Sequence, residues 1–233
     1  MPHLLYGSAI DETLKWYTDG RKAGDVPDAD ALVRRFAAAL SRQPLAKKDF
    51  DMYRERGTAA LAGYLARYAA GWHIDAESAV RLAVPFETDL PEVPVIMMRG
   101  ELDKVEHLGD DAVRIVDYKT GKPKTRGEIE GTTKTSHGNL KRQLAFYRLM
   151  VERDTTREWK THEAVLDFVE PDTKGKYHRE QFVITDDDVA MLARTIRETV
   201  KAIYECAFWD APCDGAAWDE AGCALMRAFK NRR

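Results

Sequence analysis

Asp103 and Asp117 stand fourteen positions apart, and Lys119 follows the second aspartate by two. The stretch Gly100-Glu101-Leu102-Asp103 opens one alternating run, and Ala112–Lys119 reads as its antiparallel partner across a turn at Gly109-Asp110-Asp111. A three-residue loop puts Asp103 opposite Asp117 and Val105 opposite Ile115, whereas a two-residue loop shifts that register by one. Side chains alternate along a strand, so Asp117 and Lys119 share a face with Val113 and Ile115. That face is expected to meet the core, and Lys104, Glu106, Arg114 and Tyr118 form a mixed polar face behind it. Two carboxylates side by side near a core repel each other and resist desolvation. A divalent cation relieves both problems, and hard oxygen ligands suit Mg²⁺ or Mn²⁺. Such a metal activates a bound water and polarises a phosphoryl oxygen. A lysine on the same face can hold or deprotonate that water and offset the charge that develops. The chemistry is then phosphodiester hydrolysis. A salt-bridged hairpin without chemistry fits the same pattern.

The elements that must carry these groups follow from periodicity. Apolar residues at three- and four-residue spacing predict helices over Gly7–Asp19, Asp28–Leu40 and Tyr53–Ala70, with Asp28 as an N-cap and Gly71 as a stop. After Asp75 the period becomes two, and strands are expected at Arg81–Thr88, Val95–His107, Ala112–Lys119, Ala164–Val169 and His178–Ile184. A loop from Thr120 to Gly138 and a helix over Asn139–Glu152 separate the third strand from the fourth. Thr185-Asp186-Asp187-Asp188 caps a last helix reaching about Tyr204, and a tail containing Cys and Trp follows. Helices first, then strands interrupted by one helix, predict an α/β (α+β) fold with a central mixed sheet flanked by helices. One domain is expected over 1–233, with a helical part at 1–75, a catalytic core at 80–185 and a C-terminal helix and tail at 186–233.

Composition narrows the function classes. A chain of 233 residues that is 44% hydrophobic and 32% charged can bury one sizeable core. It has no apolar run long enough to span a membrane and no secretory leader pattern. Three cysteines are too few for a disulfide scaffold, which points to a reduced, cytoplasmic setting. The net charge of −3 argues against a uniform coat of DNA-binding charge. From Lys119 to Arg142, however, seven Lys/Arg face only Glu128 and Glu130. A basic stretch beside a carboxylate pair suits an anionic substrate, and a solvated loop is the alternative.

At these residues the sequence resembles the PD-(D/E)XK nuclease superfamily, and within it the RecB-like branch that includes the RecB and AddB nuclease domains and the Cas4 exonucleases. The resemblance implies a restriction-endonuclease-like core. It implies Asp103 as the first metal ligand, and Asp117 and Lys119 of Asp117-Tyr118-Lys119-Thr120-Gly121 as the second ligand and the catalytic lysine. Gln143-Leu144-Ala145-Phe146-Tyr147 matches the branch's Q-x-x-x-Y helix motif, and Gln143 and Tyr147, four apart, share a helical face. Glu87 in Val84-Pro85-Phe86-Glu87 resembles a glutamate that often precedes the first aspartate strand. Asp11 occupies the place where a histidine ligand usually stands in the first helix, and an aspartate there can still coordinate a hard cation.

Relatives with an iron–sulfur cluster use four cysteines. Here none precedes Gly7, Ala216 stands where the middle terminal cysteine would be, and only Cys213 and Cys223, with Trp218 between them, match. Cys206 fits no slot. No cluster is therefore expected. The chain also begins abruptly in its first helix, as though a preceding segment were absent. The leading reading is a Mg²⁺- or Mn²⁺-dependent DNA exonuclease of recombination, repair or phage DNA processing, of bacterial or phage type. Lys122, Lys124, Arg126 and Lys134 are expected to meet DNA phosphates. With no helicase P-loop in the sequence, a helicase or recombination protein is the candidate partner for unwinding. A structure-selective or restriction-type endonuclease, and a nuclease-like module that binds without cutting, remain the alternatives.

Overall fold

The computed structural model describes residues 1–207. Three helices come first: α1 (Pro2–Lys22), α2 (Ala29–Ser41) and α3 (Lys47–Tyr68), the last running into a single 3₁₀ turn at Ala69–Gly71. Asp28 caps α2 as expected, its carboxylate accepting the Ala31 N–H at 2.7 Å. Strands β1 (Ala76–Glu87), β2 (Val95–Gly109) and β3 (Ala112–Lys119) form an antiparallel meander. A parallel neighbour needs a crossover. The chain provides it through a short helix α4 (Arg126–Glu130) and a longer one α5 (Asn139–Arg153) before β4 (Lys160–Phe168) pairs parallel to β3. Strand β5 (Arg179–Phe182) closes the sheet in the order β1-β2-β3-β4-β5, and α6 (Asp186–Tyr204) follows behind a Thr185/Asp188 capping box. The loop expected over Thr120–Gly138 thus contains α4, which a Thr125/Glu128 capping box stabilises. Among the described residues, no helix is long and apolar enough to cross a membrane.

The sheet is covered on both faces. One apolar cluster joins Val80, Leu82, Leu102, Val105, Val113 and Ile115 to α5 and α6. The other joins Val116, Tyr118 and Val165 to the three N-terminal helices. Each large apolar side chain buried this way contributes about 2 kcal/mol of transfer free energy. Packing is tight where α2 meets α3. A Cβ on Gly57 would stand 2.2 Å from the Phe36 ring, so any larger residue there pushes the helices apart.

The register of the central hairpin is the expected one, with Val105 opposite Ile115, but the turn reaches it by another route. Gly109 pairs with Ala112, so only Asp110 and Asp111 form the turn, and Asp110 takes φ 47°. An irregularity between His107 and Gly109 absorbs the extra residue at Leu108 and restores the register. The face expected to be merely polar is also corrected. Lys104 and Glu106 are 2% and 1% exposed and Tyr118 7%, because the N-terminal helices lie over them.

Candidate active site

The site lies at the C-terminal end of β3, where the ladder with β2 stops. The paired residues end at Lys104 and Val116. One step further the Tyr118 N–H donates to the Asp103 carboxylate, at 2.7 Å. Regular alternation along β2 also fails at Asp103. Leu102 and Val105 both join the α5-side core, while Lys104, between them, lies over the Trp72 ring on the other face. On the neighbouring strand Ala79 takes φ 51°, an uncommon conformation for a residue with a Cβ. The β1–β2 ladder skips Ala79 and Asp103, between the pairs Ser78–Lys104 and Val80–Leu102, where the carboxylate is presented.

Asp117, Lys119, Gln143 and Tyr147 form a closed ring. The Lys119 ammonium stands 2.5 Å from Asp117 Oδ2 and donates to Gln143 Oε1 at 2.8 Å. The Gln143 amide nitrogen donates to the Tyr147 hydroxyl at 2.7 Å, and that hydroxyl donates to Asp117 Oδ1 at 3.1 Å. The i, i+4 spacing on α5 puts the two side chains one above the other, as the sequence indicates. Their partners are Lys119 and Asp117, so the Q-x-x-x-Y pair fixes the lysine and the aspartate. Asp117 is 2% exposed, and its Oδ2 has no partner in hydrogen-bond geometry despite the nearby ammonium.

Asp11, from α1, joins the acids from the opposite layer. Burial and the charges of Asp103 and Asp117 push its carboxyl up to about 7. Asp103 also rises to about 7, through burial and then the charge of Asp117. Burial raises Asp117 as well, outweighing the attraction of Lys119. A carboxylate absent from the sequence-based site is Glu101, whose charge contributes to raising both Asp11 and Asp103. It is paired with Arg81 at 2.6 Å. Its place two residues before Asp103 was the available signal, and the two side chains line one cleft with Asp11.

Other expected residues lie elsewhere. Glu87 is paired with Val95 at the far end of β1 and bonds Arg153 at 2.7 Å. Eight residues of strand, roughly 27 Å, separate that end of β2 from Asp103, so Glu87 is not part of this site. In the basic segment, Lys122 and Lys134 are exposed. Lys124 faces Glu128 at 3.5 Å. Arg126 is held by Glu130 at 3.1 Å and by the Gln181 carbonyl at 3.0 Å, and its guanidinium lies 4.3 Å from the centre of the Phe182 ring. The cysteine reading falls partly outside the described residues, since Cys213 and Cys223 follow residue 207. Cys206 is exposed just after α6.

Asp11 and Lys119 line a cleft of about 450 Å³ together with Arg56 of α3 and the Thr120-Gly121 turn. Gly121 takes φ 102° there, a conformation that glycine adopts without strain. Among the described residues, no three His, Cys, Asp or Glu side chains converge as a ready-made ligand cluster. The donor set nevertheless fits a hard cation: Asp11, Asp103 and the buried Asp117 repel one another, with the Lys119 ammonium beside them. Water and phosphate oxygens would fill the remaining positions, as is usual for Mg²⁺.

Among solved structures, a protein from Eubacterium rectale described provisionally as an exonuclease matches with 12% identity over 88% of each chain and a TM-score of 0.43. SSO0001 matches with 14% identity over 65% of this chain and 67% of its own, with a TM-score of 0.39. No curated protein matches. The family model of the PD-(D/E)XK nuclease superfamily matches residues 2–225. With the match spanning nearly the whole sequence, the chain belongs to the PD-(D/E)XK nuclease superfamily.

Proposed function

We propose that the chain is a Mg²⁺- or Mn²⁺-dependent deoxyribonuclease of the RecB/Cas4-like branch, acting as an exonuclease. The observation that carries this reading is the convergence of Asp103, Asp117 and Lys119 at the open end of β3, with Asp11 facing them from α1. Asp103 and Asp117 would hold the cation, and Asp11 would support it. When bound, the cation supplies a more acidic water and a polarised phosphoryl oxygen.

The protein's own groups do the rest. Lys119, anchored by Gln143, orients the attacking water and offsets negative charge on the phosphoryl oxygens. Tyr147 holds Asp117 in one rotamer through its hydroxyl. Exposed Lys122 and Lys134 attract the DNA backbone without reading its sequence.

The test is a gel assay with linear and circular DNA, single- and double-stranded, in Mg²⁺, Mn²⁺ or EDTA. Shortening of linear DNA only, abolished by EDTA, is expected. Cutting of closed circles would make the protein an endonuclease, and EDTA-resistant cutting would remove the metal from the mechanism.

A further inference from the structure

We propose that Arg56 binds a DNA backbone phosphate next to the scissile one and is held for that contact by the buried Glu170. The assignment rests on the nuclease reading above.

Arg56 comes from α3, 114 residues before its partner. Its Nε and Nη2 donate to Glu170 Oε2 at 2.8 and 2.6 Å. Glu170 is 8% exposed, and its other oxygen accepts the N–H of Gly121 at 3.1 Å. One carboxylate thus ties the guanidinium to the turn that directly follows Lys119. The turn is held again from β4, because the Val169 N–H donates to the Lys119 carbonyl at 3.0 Å. The guanidinium also lies 5.4 Å from the centre of the Tyr6 ring, and Tyr6 stacks on Tyr53 at 4.7 Å. Both rings are buried. They support the arginine and offer no face to a base.

A strut that only neutralised Glu170 could be sealed inside, yet the Arg56 side chain is 43% exposed and lines the cleft shared with Asp11 and Lys119. Arginine has five N–H donors. Glu170 engages one edge, and among the described residues no other acceptor hydrogen-bonds the guanidinium. A planar cation with one edge fixed and the other open suits a phosphate oxygen. Lys119 is engaged by Asp117 and Gln143, which leaves Arg56 as the cleft's available fork of donors.

The experiment is a chemical double-mutant cycle. Linear DNA carries a single neutral methylphosphonate at successive positions around the cut, and single-turnover cleavage is measured with Mg²⁺ or Mn²⁺. Wild type is expected to lose on the order of 10- to 100-fold at one position within two nucleotides of the cut. Arg56→Gln is expected to lose as much on ordinary DNA and nothing further on that substrate. Glu170→Gln should show the same pattern with a smaller loss. If Arg56→Gln does not fold, Arg56→Lys carries the same cycle. Additive losses at every position overturn the Arg56 assignment and leave the nuclease reading intact. A wild type that cuts none of the substrates overturns both.

Discussion

Charge is buried in two regions of the sheet, its helix-covered middle and the end of β3, and only the second builds a site. On the side of the N-terminal helices, Lys104 meets Glu106 at 2.6 Å, Arg114 meets Glu106 at 2.8 Å and also pairs with Glu163, and Arg179 lies 3.5 Å from Asp167. Tyr64 donates to Asp167 at 2.6 Å. Three cations (Lys104, Arg114, Arg179) therefore balance three carboxylates (Glu106, Asp167, Glu163). Burial alone would push the Glu106 carboxyl up, but Lys104 and Arg114 hold it below the usual range. At the end of β3 the ratio is different: Asp11, Asp103 and Asp117 face Lys119 alone, and two of the acids rise to about 7. What separates the two regions is uncompensated negative charge beside an open cleft. A balanced buried network stabilises or specifies the fold, whereas an unbalanced one needs an external cation.

The largest expected effect follows from that imbalance. Asp117→Asn should reduce metal-dependent cleavage on the order of a thousandfold or more. In EDTA its melting temperature should equal or exceed that of wild type, because one of several repelling charges is gone. Mn²⁺ should raise the wild-type melting temperature more than that of the variant. A clear loss of stability in EDTA would mean that Asp117 belongs to a balanced network like the one in the middle of the sheet.

The opposite pattern is expected in the helix-covered middle of the sheet. Lys104→Met removes one partner of a sealed pair and leaves Glu106 short of compensation, at a cost of about 3 kcal/mol. Denaturant unfolding should show that loss, while cleavage per folded molecule stays unchanged. If cleavage fell with little loss of stability, the network would be part of the active site after all.

A smaller effect separates positioning from substrate contact. Gln143→Ala frees Lys119 from one of its two anchors and removes the donor that meets the Tyr147 hydroxyl. Turnover should fall roughly 10- to 100-fold with DNA affinity unchanged. An equal drop in affinity, measured by titration of labelled DNA in Ca²⁺, would show that Gln143 meets the phosphate itself.

The legible parts of this molecule were those with short-range signatures. Period-two alternation places β3 at Ala112–Lys119, and the i, i+4 pair on α5 shares one face; both were readable because the relevant spacing is local. The compensation at Leu108 was not, because a bulge carries no strong sequence mark. The burial of Lys104 and Glu106 depends on α1–α3 covering the sheet, which alternation cannot disclose. Glu87 failed for a related reason: motif order along the chain says nothing about which end of a long hairpin a residue occupies. Arg56 and Glu170, 114 residues apart, had no signal short of the fold itself.

The basic segment carries the smallest predicted effect and repeats the comparison at the surface. Arg126 is already matched by Glu130, the Gln181 carbonyl and the Phe182 ring, so it serves the packing of α4 on β5. Lys122 and Lys134 are exposed, and no carboxylate among the described residues pairs with them. Unmatched cations release counterions when they meet phosphate, and each such contact adds about 0.9 to the slope of log affinity against log salt on duplex DNA. Lys122→Ala with Lys134→Ala should therefore flatten that slope by roughly two, equally for unrelated sequences. Arg126→Ala should leave the slope alone and lower the melting temperature slightly. Binding measured at several salt concentrations on the Asp117→Asn protein tests both at once. A slope that changes with Arg126 and not with the two lysines would show that DNA breaks the Arg126 contacts and takes that cation for itself.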